Sequence, residues 1–429
     1  MVLSLLKHGL LFGLLTISFC ASARPLILNI NASSNNGSQI GAELGRQIQQ
    51  ALPDVASQYD NYLAFLLSPP QFKQLLERAN ALKAAIAPDY RAEVDAIAVA
   101  WQLNAIDKLG DGKLSVNEFW LLQFLPDLTD INKGPGFAAT NHDTHNPIAA
   151  RNVDWQNNPA LLKLQAISIY HYEDRTLVNI GFAGLAGVIN GFNDQGLFGS
   201  VLDASEQQIS PATDSADSGG FELRTVLKTQ YKIEPASHAL TEKRYARNLE
   251  FLLANQENIA VLEQPLDSAS GLRKPTSEIT NEMTWHRDGQ LAAVNCFVLN
   301  SSPRNCYNTL DYYRWGRLEQ LSKQLPEQNL SVAHVITIML DKANIRQAIF
   351  TANTVQSIIF TPKDRSLYLY TKTANNPSNP QPIFEKYQFI KMDTSTTSQL
   401  IDIGLLILGV GILAATWVYV FRGDKGKTP

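Results

Sequence analysis

The chain has 429 residues, 45% of them hydrophobic and 18% charged, and its 36 Lys and Arg against 40 Asp and Glu give a formal net charge of −4. That length holds one large domain or two modest ones. With no basic stripe in the sequence, the composition argues against nucleic acid as a partner.

At the start, Lys7 and His8 precede an apolar run from Leu10 to Phe19, and Ala21-Ser22-Ala23 supplies an A-x-A cleavage pattern. Residues 1–23 therefore read as a removable secretory signal. Asn31, Asn36, Asn300 and Asn329 stand in glycosylation sequons, which matter only in a eukaryotic source. Gly37, Gly41 and Gly45 punctuate the next stretch, and their expected use is close helix contact rather than binding.

Three helices follow from apolar spacing. Pro70 opens the first, with Phe72, Leu75, Leu76, Ala79, Leu82 and Ile86 on one face, and Pro88 ends it. The second covers 90–103 and gathers Val94, Ile97, Ala98 and Trp101; the third covers 116–125 and stops before Pro126. These stripes are core rather than a ligand groove.

Between the second and third helices, Asp107 to Glu118 comes close to a calcium-binding loop. Asp107, Asp111, Gly112, Leu114, Ser115 and Glu118 fit positions 1, 5, 6, 8, 9 and 12 of that loop, but Leu109 stands where position 3 needs an oxygen. The alternative is a helix–turn–helix connection that uses Asp and Gly for turn geometry.

From Gly134 the pattern turns to strands, expected at 161–170, 176–182, 290–299, 356–361 and 365–371, with helices at 221–230, 238–255 and 313–324. Taken alone, this order predicts an α+β fold of two antiparallel sheets between helical layers. Cys296 and Cys306 remain after signal removal, and export favours a disulfide between them. Ile403 to Phe421 is a charge-free apolar run of bilayer length, followed by Arg422, Lys425 and Lys427. It reads as a single transmembrane helix at 403–421 with a cytoplasmic tail at 422–429, which leaves the large domain extracytoplasmic.

Four ordered blocks carry a family resemblance. "PGFAATNHDTHNPIAARNVDW", ending in Arg151-Asn152-Val153-Asp154-Trp155, resembles the start of the catalytic chain in N-terminal-nucleophile amide hydrolases, with their Arg-Asn-x-Asp signature. The relatives meant are N-acylethanolamine acid amidase, acid ceramidase, choloylglycine hydrolase and penicillin acyltransferase. "GFAGLAGVINGFNDQGLFGSVLDA", "AAVNCFVLNSSPRN" and "TVQSIIFTPKDRSLYLY" look like their later blocks, and the 37–45 stretch resembles their glycine-punctuated opening. The resemblance implies an αββα sandwich at 135–397 behind a helical, propeptide-like region at 24–134.

In that family the nucleophilic cysteine lies sixteen positions before the signature Arg. Here that count lands on Pro135, or on Gly136 with a one-residue gap. Neither side chain can attack a carbonyl or start self-cleavage, so the chain is expected to stay whole. By resemblance, Arg151 would lower a thiol pKa and hold the site's geometry. Asp154 would orient the nucleophile and its amine. Asn295 would donate to the oxyanion, a contact worth about 3–4 kcal/mol of barrier. Asp203 would line the oxyanion region, and Arg304 matches a later active-site Arg approximately. Arg151 and Asp154 also read as a buried ion pair that holds strands together. Thr140, His142, His145 and Cys296 are the only nearby substitutes, and none sits convincingly for the task; no metal pattern and no cofactor motif accompanies them.

Three functions follow. The first is an exported, membrane-anchored pseudoenzyme that binds an acyl-amide or fatty-acyl small molecule. The second is an active linear-amide hydrolase or acyltransferase with a non-standard nucleophile. The third is a structural or calcium-responsive surface protein.

Overall fold

The computed structural model describes residues 24–141, 143–204, 216–286, 288–307, 309–326, 328–344, 346–374, 382–391 and 398–406. The expected signal segment at 1–23, His142, residues 407–421 of the expected spanning run and the expected tail at 422–429 lie outside the described residues.

A first strand, β1 (Leu26–Asn31), leads into α1 (Gly37–Ala51), α2 (Val55–Leu66), α3 (Pro69–Ala85), α4 (Pro88–Ala100) and α5 (Val116–Leu128). Local chemistry sets their ends. The Asn36 side chain accepts from Gln39 N at the start of α1, and Gln71 Oε1 accepts from Ser68 N at the start of α3. The three punctuating glycines lie along α1 against α4. A Cβ on Gly41 would sit 2.0 Å from the Glu93 carbonyl oxygen, so the helices approach closer than any side chain would allow.

The middle of the chain gives β2 (Gly136–Thr140), β3 (Pro147–Asp154), α6 (Pro159–Leu162), β4 (Gln165–His171), β5 (Thr176–Phe182), β6 (Asn190–Asn193) and β7 (Phe198–Asp203). Then come α7 (Gly219–Thr229), α8 (Ile233–Thr241), β8 (Leu249–Ala254), β9 (Ile259–Gln264), β10 (Gly271–Arg273) and β11 (Gln290–Ala293). The last elements are α9 (Leu310–Ser322), α10 (Val332–Met339), β12 (Thr354–Thr361), β13 (Ser366–Thr371), β14 (Phe384–Lys391) and β15 (Ser398–Leu406).

Among the described residues the strands form two sheets, ordered β1-β4-β5-β6-β7-β8-β9-β10 and β11-β2-β3-β12-β13-β14-β15. All pairs are antiparallel except β1 with β4. The sheets stack face to face: Phe192 of β6 lies on Phe360 of β12 with ring centroids 4.3 Å apart. On the far side of the second sheet, Phe137, Ile148, Ala150 and Ile359 pack with Trp315 and Leu318 of α9 and Val335 and Ile338 of α10. On the far side of the first, α7 lies so close to β7 that a Cβ on Gly199 would come within 2.5 Å of the Leu223 side chain. Helix, sheet, sheet, helix is the layering expected from the sequence.

Several boundaries move. Residues 238–255 are not one helix: α8 stops at Thr241, and Leu249–Ala254 becomes β8, buried along its whole length between β7 and β9. A continuous apolar run reads the same in a helix or in a central strand, and the neighbouring strands decide. Helix α5 continues through Pro126 to Leu128. So near the end the missing N–H costs little, and Asp127 anchors the last turn by accepting from Ser218 Oγ at 2.6 Å and Gly219 N at 2.9 Å. The strand expected at 290–299 shortens to β11, because the chain bends where Cys296 N bonds back to Val294 O and Cys296 joins Cys306 in a disulfide. The strand expected from 161 begins at Gln165, since Pro159 and the Asn158 cap open the short α6. At the far end, β15 pairs with β14, so residues 403–406 of the expected spanning helix are extended. Among the described residues no helix is long and apolar enough to cross a membrane.

Candidate active site

Strands β2 and β3 place Gly136 directly opposite Arg151. Cross-strand partners share a face, and faces alternate along each strand. Ala138, Ala149 and Val153 accordingly belong to the larger core with the first sheet, whereas Phe137, Ala139 and Ala150 lie under α9 and α10. The position that shares Arg151's face is therefore Gly136. An added Cβ there would lie 2.9 Å from Leu252 Cδ2 of the opposite sheet. Neither Pro135 nor Gly136 offers sulfur or hydroxyl.

The segment just before β2 fills the space in front of these residues. Lys133 forms a two-way backbone bridge with Asp154, Lys133 N to Asp154 O at 3.1 Å and Asp154 N to Lys133 O at 2.7 Å. Arg151 NH2 donates to Lys133 O at 3.1 Å and to Asn132 Oδ1 at 3.4 Å. Asn132 Nδ2 donates to Val201 O, and Asp203 N donates to Asn132 O. Gly134, at φ +112°, lies so flat on β3 that a Cβ would come within 2.3 Å of Asn152 O. Its N–H donates to Asn295 Oδ1 at 2.9 Å, while Asn295 Nδ2 donates to Asp203 O at 2.7 Å. The amide expected to serve an oxyanion is thus bonded to β7.

Arg151 is fully buried, and desolvation pulls its pKa down to about 9 against the pull of Asp154 and Glu250. Its Nε and NH1 have no hydrogen-bond partner. The expected Arg151–Asp154 pairing is not direct. Asp154 instead accepts from Arg314 NH2 at 3.1 Å and Thr354 Oγ1 at 2.6 Å, and burial raises its pKa. Three residues apart on a strand, Arg151 and Asp154 point to opposite faces.

Arg314 also corrects the choice of Arg304. Arg304 is exposed on a loop and pairs with Glu282, away from the site. Arg314 comes from α9, one turn after Asp311, with which it pairs at 3.6 Å. That i,i+3 charge pair was the sequence signal for it. Asp203 is at the site: its buried carboxylate meets Arg247 NH2 at 3.0 Å and Lys133 Nζ at 4.0 Å.

Sequence reasoning also missed an acidic group facing Arg151 from the first sheet. Glu250 and Glu263 are direct cross-strand partners on β8 and β9, both fully buried. Glu263 accepts from Arg273 Nε and the backbone N–H groups of Val298 and Leu299. Neither Glu250 oxygen accepts a hydrogen bond, and Arg273 NH2 approaches only to 3.7 Å. Desolvation, then Glu263, holds the Glu250 carboxyl well above the usual range. A glutamate inside each of the apolar runs LEFLLA and IAVLEQ was the available signal.

None of the described alternative nucleophiles reaches this place. Thr140 is four residues along β2 from Gly136, about 13 Å at ~3.3 Å per residue. Cys296 is spent in the disulfide, and His145 sits in the turn before β3. The loop at 107–118 turns its carboxylates onto its own chain. Glu118 accepts from Lys108 N and Ser115 N as the cap of α5, Asp107 from Ser115 Oγ and Asn117, and Asp60 of α2 from Gly110 N and Gly112 N. Among the described residues no group of acidic, His or Cys side chains is set to hold a metal.

No family model and no curated protein matches the sequence. Solved structures do resemble the chain. A Caenorhabditis elegans ortholog of N-acylethanolamine-hydrolyzing acid amidase aligns at TM-score 0.40 and 15% identity over 53% of this chain and 92% of its own. Penicillin V acylase from Agrobacterium tumefaciens aligns at 0.40 and 12% over 63% and 92%. A variant of conjugated bile acid hydrolase from Clostridium perfringens aligns at 0.40 and 12% over 63% and 97%.

Proposed function

We propose that this protein is an exported relative of the linear-amide hydrolases that has lost their chemistry and binds acyl-amide or fatty-acyl molecules without turning them over. The observation that carries the reading is the pair Pro135–Gly136 opposite Arg151: the face that a nucleophile would share with the arginine holds a glycine, and the preceding backbone lies bonded across it. Amide hydrolysis in such a site needs a thiol or hydroxyl and the amine that follows its release. An uncut chain supplies neither.

Arg151 supports the ligand class. Two of its nitrogens have no partner, and a guanidinium in a dry interior favours a carboxylate or amide carbonyl. Leu252 and Ala293 pack directly against Gly136, so an acyl chain would reach this apolar surface only after the segment at 132–134 moves aside. Export rests on the pattern at 1–23 and agrees with the Cys296–Cys306 disulfide. The part of the apolar run beyond β15, residues 407–421, would hold the protein at a membrane, close to lipid-like ligands.

A fluorogenic N-acyl amide offered to the purified protein tests the chemistry, with Pro135→Cys and Gly136→Cys alongside. No turnover by the natural chain, a single uncut band on a denaturing gel and a saturable thermal shift with a fatty acid are the expected results. Turnover that Thr140→Ala abolishes, or two fragments meeting near Gly134, would overturn the reading.

A further inference from the structure

A second place in the molecule has unpartnered buried polar groups, and it opens to solvent. Between α8 and β8, and along the β9–β10 connection, lies a cleft of ≈ 340 Å³, at the small end of ligand sites. Lys243, Arg244 and Arg247 line it from one side, Gln264, Ser268 and Ser270 from the other.

These cations differ in what already holds them. Lys243 is paired with Glu222 at 3.0 Å and Asp217 at 3.9 Å, so its charge is largely offset. Arg244 is exposed, and its bonds to Asp217 run through its backbone, the N–H donating to Asp217 Oδ2 and the carbonyl accepting from Asp217 N. Arg247 is 1% exposed, donates NH2 to Asp130 and holds Asp203 as an ion pair at 3.0 Å, while its Nε and NH1 have no hydrogen-bond partner among the described residues. Gln264, 7% exposed, likewise has an Oε1 without a partner. Buried donors without acceptors are costly and uncommon in a fold that has no use for them. Among the described residues, Asp267 is the one acid on the lining, against three cations.

We propose that this cleft binds a small oxyanion-bearing ligand, with Arg244 and the Ser268 and Ser270 hydroxyls as its first donors and Arg247 behind them. A guanidinium beside hydroxyl donors matches the acceptor geometry that phosphate, sulfate and carboxylate share. The lining is mostly polar, so the cleft has no bed for an aliphatic chain. It is therefore distinct from the acyl reading above and stands whether or not that reading does.

Arg247 gives the cleft a line to the candidate active site. It grips Asp203, whose carbonyl takes the Asn295 amide and whose N–H holds Asn132 of the covering segment. An anion that draws on Arg247 changes the partner that Asp203 feels.

Titration calorimetry and thermal shift of the full-length protein with inorganic phosphate, sulfate and acetate test this, against sodium chloride at matched ionic strength. Phosphate or sulfate should bind saturably, and laurate should bind at this cleft no better than acetate. Arg244→Gln, at an exposed position, should leave the ligand-free melting temperature in place and weaken phosphate binding about tenfold. Ser268→Ala should weaken it less. Stabilisation no greater than that given by chloride, or phosphate binding untouched by both substitutions, would overturn the proposal. If acetate alone binds, with the same dependence on Arg244, the ligand is a carboxylate.

Discussion

Two regions of this molecule look functional in sequence, and the protein's own backbone closes both, by different means. In the loop at 107–118, every carboxylate that a cation would use holds a nearby N–H or hydroxyl, and the result is a well-capped α5. At β2–β3 the charges are buried, the covering segment satisfies only part of them, and Arg151 and Glu250 keep atoms without partners. The loop's polar groups have become turn chemistry. The interior site still carries the cost of a polar centre, and burial without full satisfaction is what separates a retained site from a structural motif.

Arg151→Ala should break the interior most. It removes the donor to Lys133 O and Asn132 and the buried charge that acts on Glu250 and Asp154 through space, so chemical denaturation should report a loss of ~3–5 kcal/mol. Arg314→Ala, which takes from Asp154 its one direct cation and leaves it the Thr354 and Thr351 hydroxyls, should cost ~2 kcal/mol by the same measurement, because Arg314 is partly exposed. A loss of ~1 kcal/mol or less for Arg151→Ala would place the interior in the same class as the loop.

The pH dependence sharpens the contrast. Glu250 has its folded pKa raised above its ordinary 4.5, so the folded state holds that proton more tightly than the unfolded chain. Its contribution is full below pH 4.5 and is lost as pH rises toward the folded pKa. Glu250→Gln should therefore flatten the stability profile above pH 4.5 and match the natural chain below it, in urea melts across pH.

The loop should respond less. Glu118→Ala removes a capping box and should cost ~1 kcal/mol, and calcium should leave the melting temperature unchanged in both forms. A calcium-dependent rise that Asp107→Asn removes would make the loop a site after all. Smallest of all, Arg304→Ala should change stability by under ~0.5 kcal/mol, as expected for an exposed pair with Glu282.

The layering of the fold was readable because periodicity and turn residues are local. The helices α3 and α4, the strands β5, β12 and β13, and the glycine face of α1 all follow from residues within a few positions of each other. Segment 249–254 shows where that stops: its apolar run is equally a helix, and only β7 and β9 on either side make it a strand.

The site divides along the same line. In the sequence, only the resemblance to N-terminal-nucleophile hydrolases pointed to a missing nucleophile and grouped Arg151, Asp154, Asp203 and Asn295, while alternation along the β2–β3 hairpin fixed no more than which of its residues share a face. Only the tertiary structure decided who pairs with whom. Arg314 reaches Asp154 from α9, 160 residues away, Glu250 faces Arg151 from the other sheet, and residues 132–134 fold back over the centre. Charges buried between two sheets are matched across long sequence separations, and no local pattern records which partner the packing brings near.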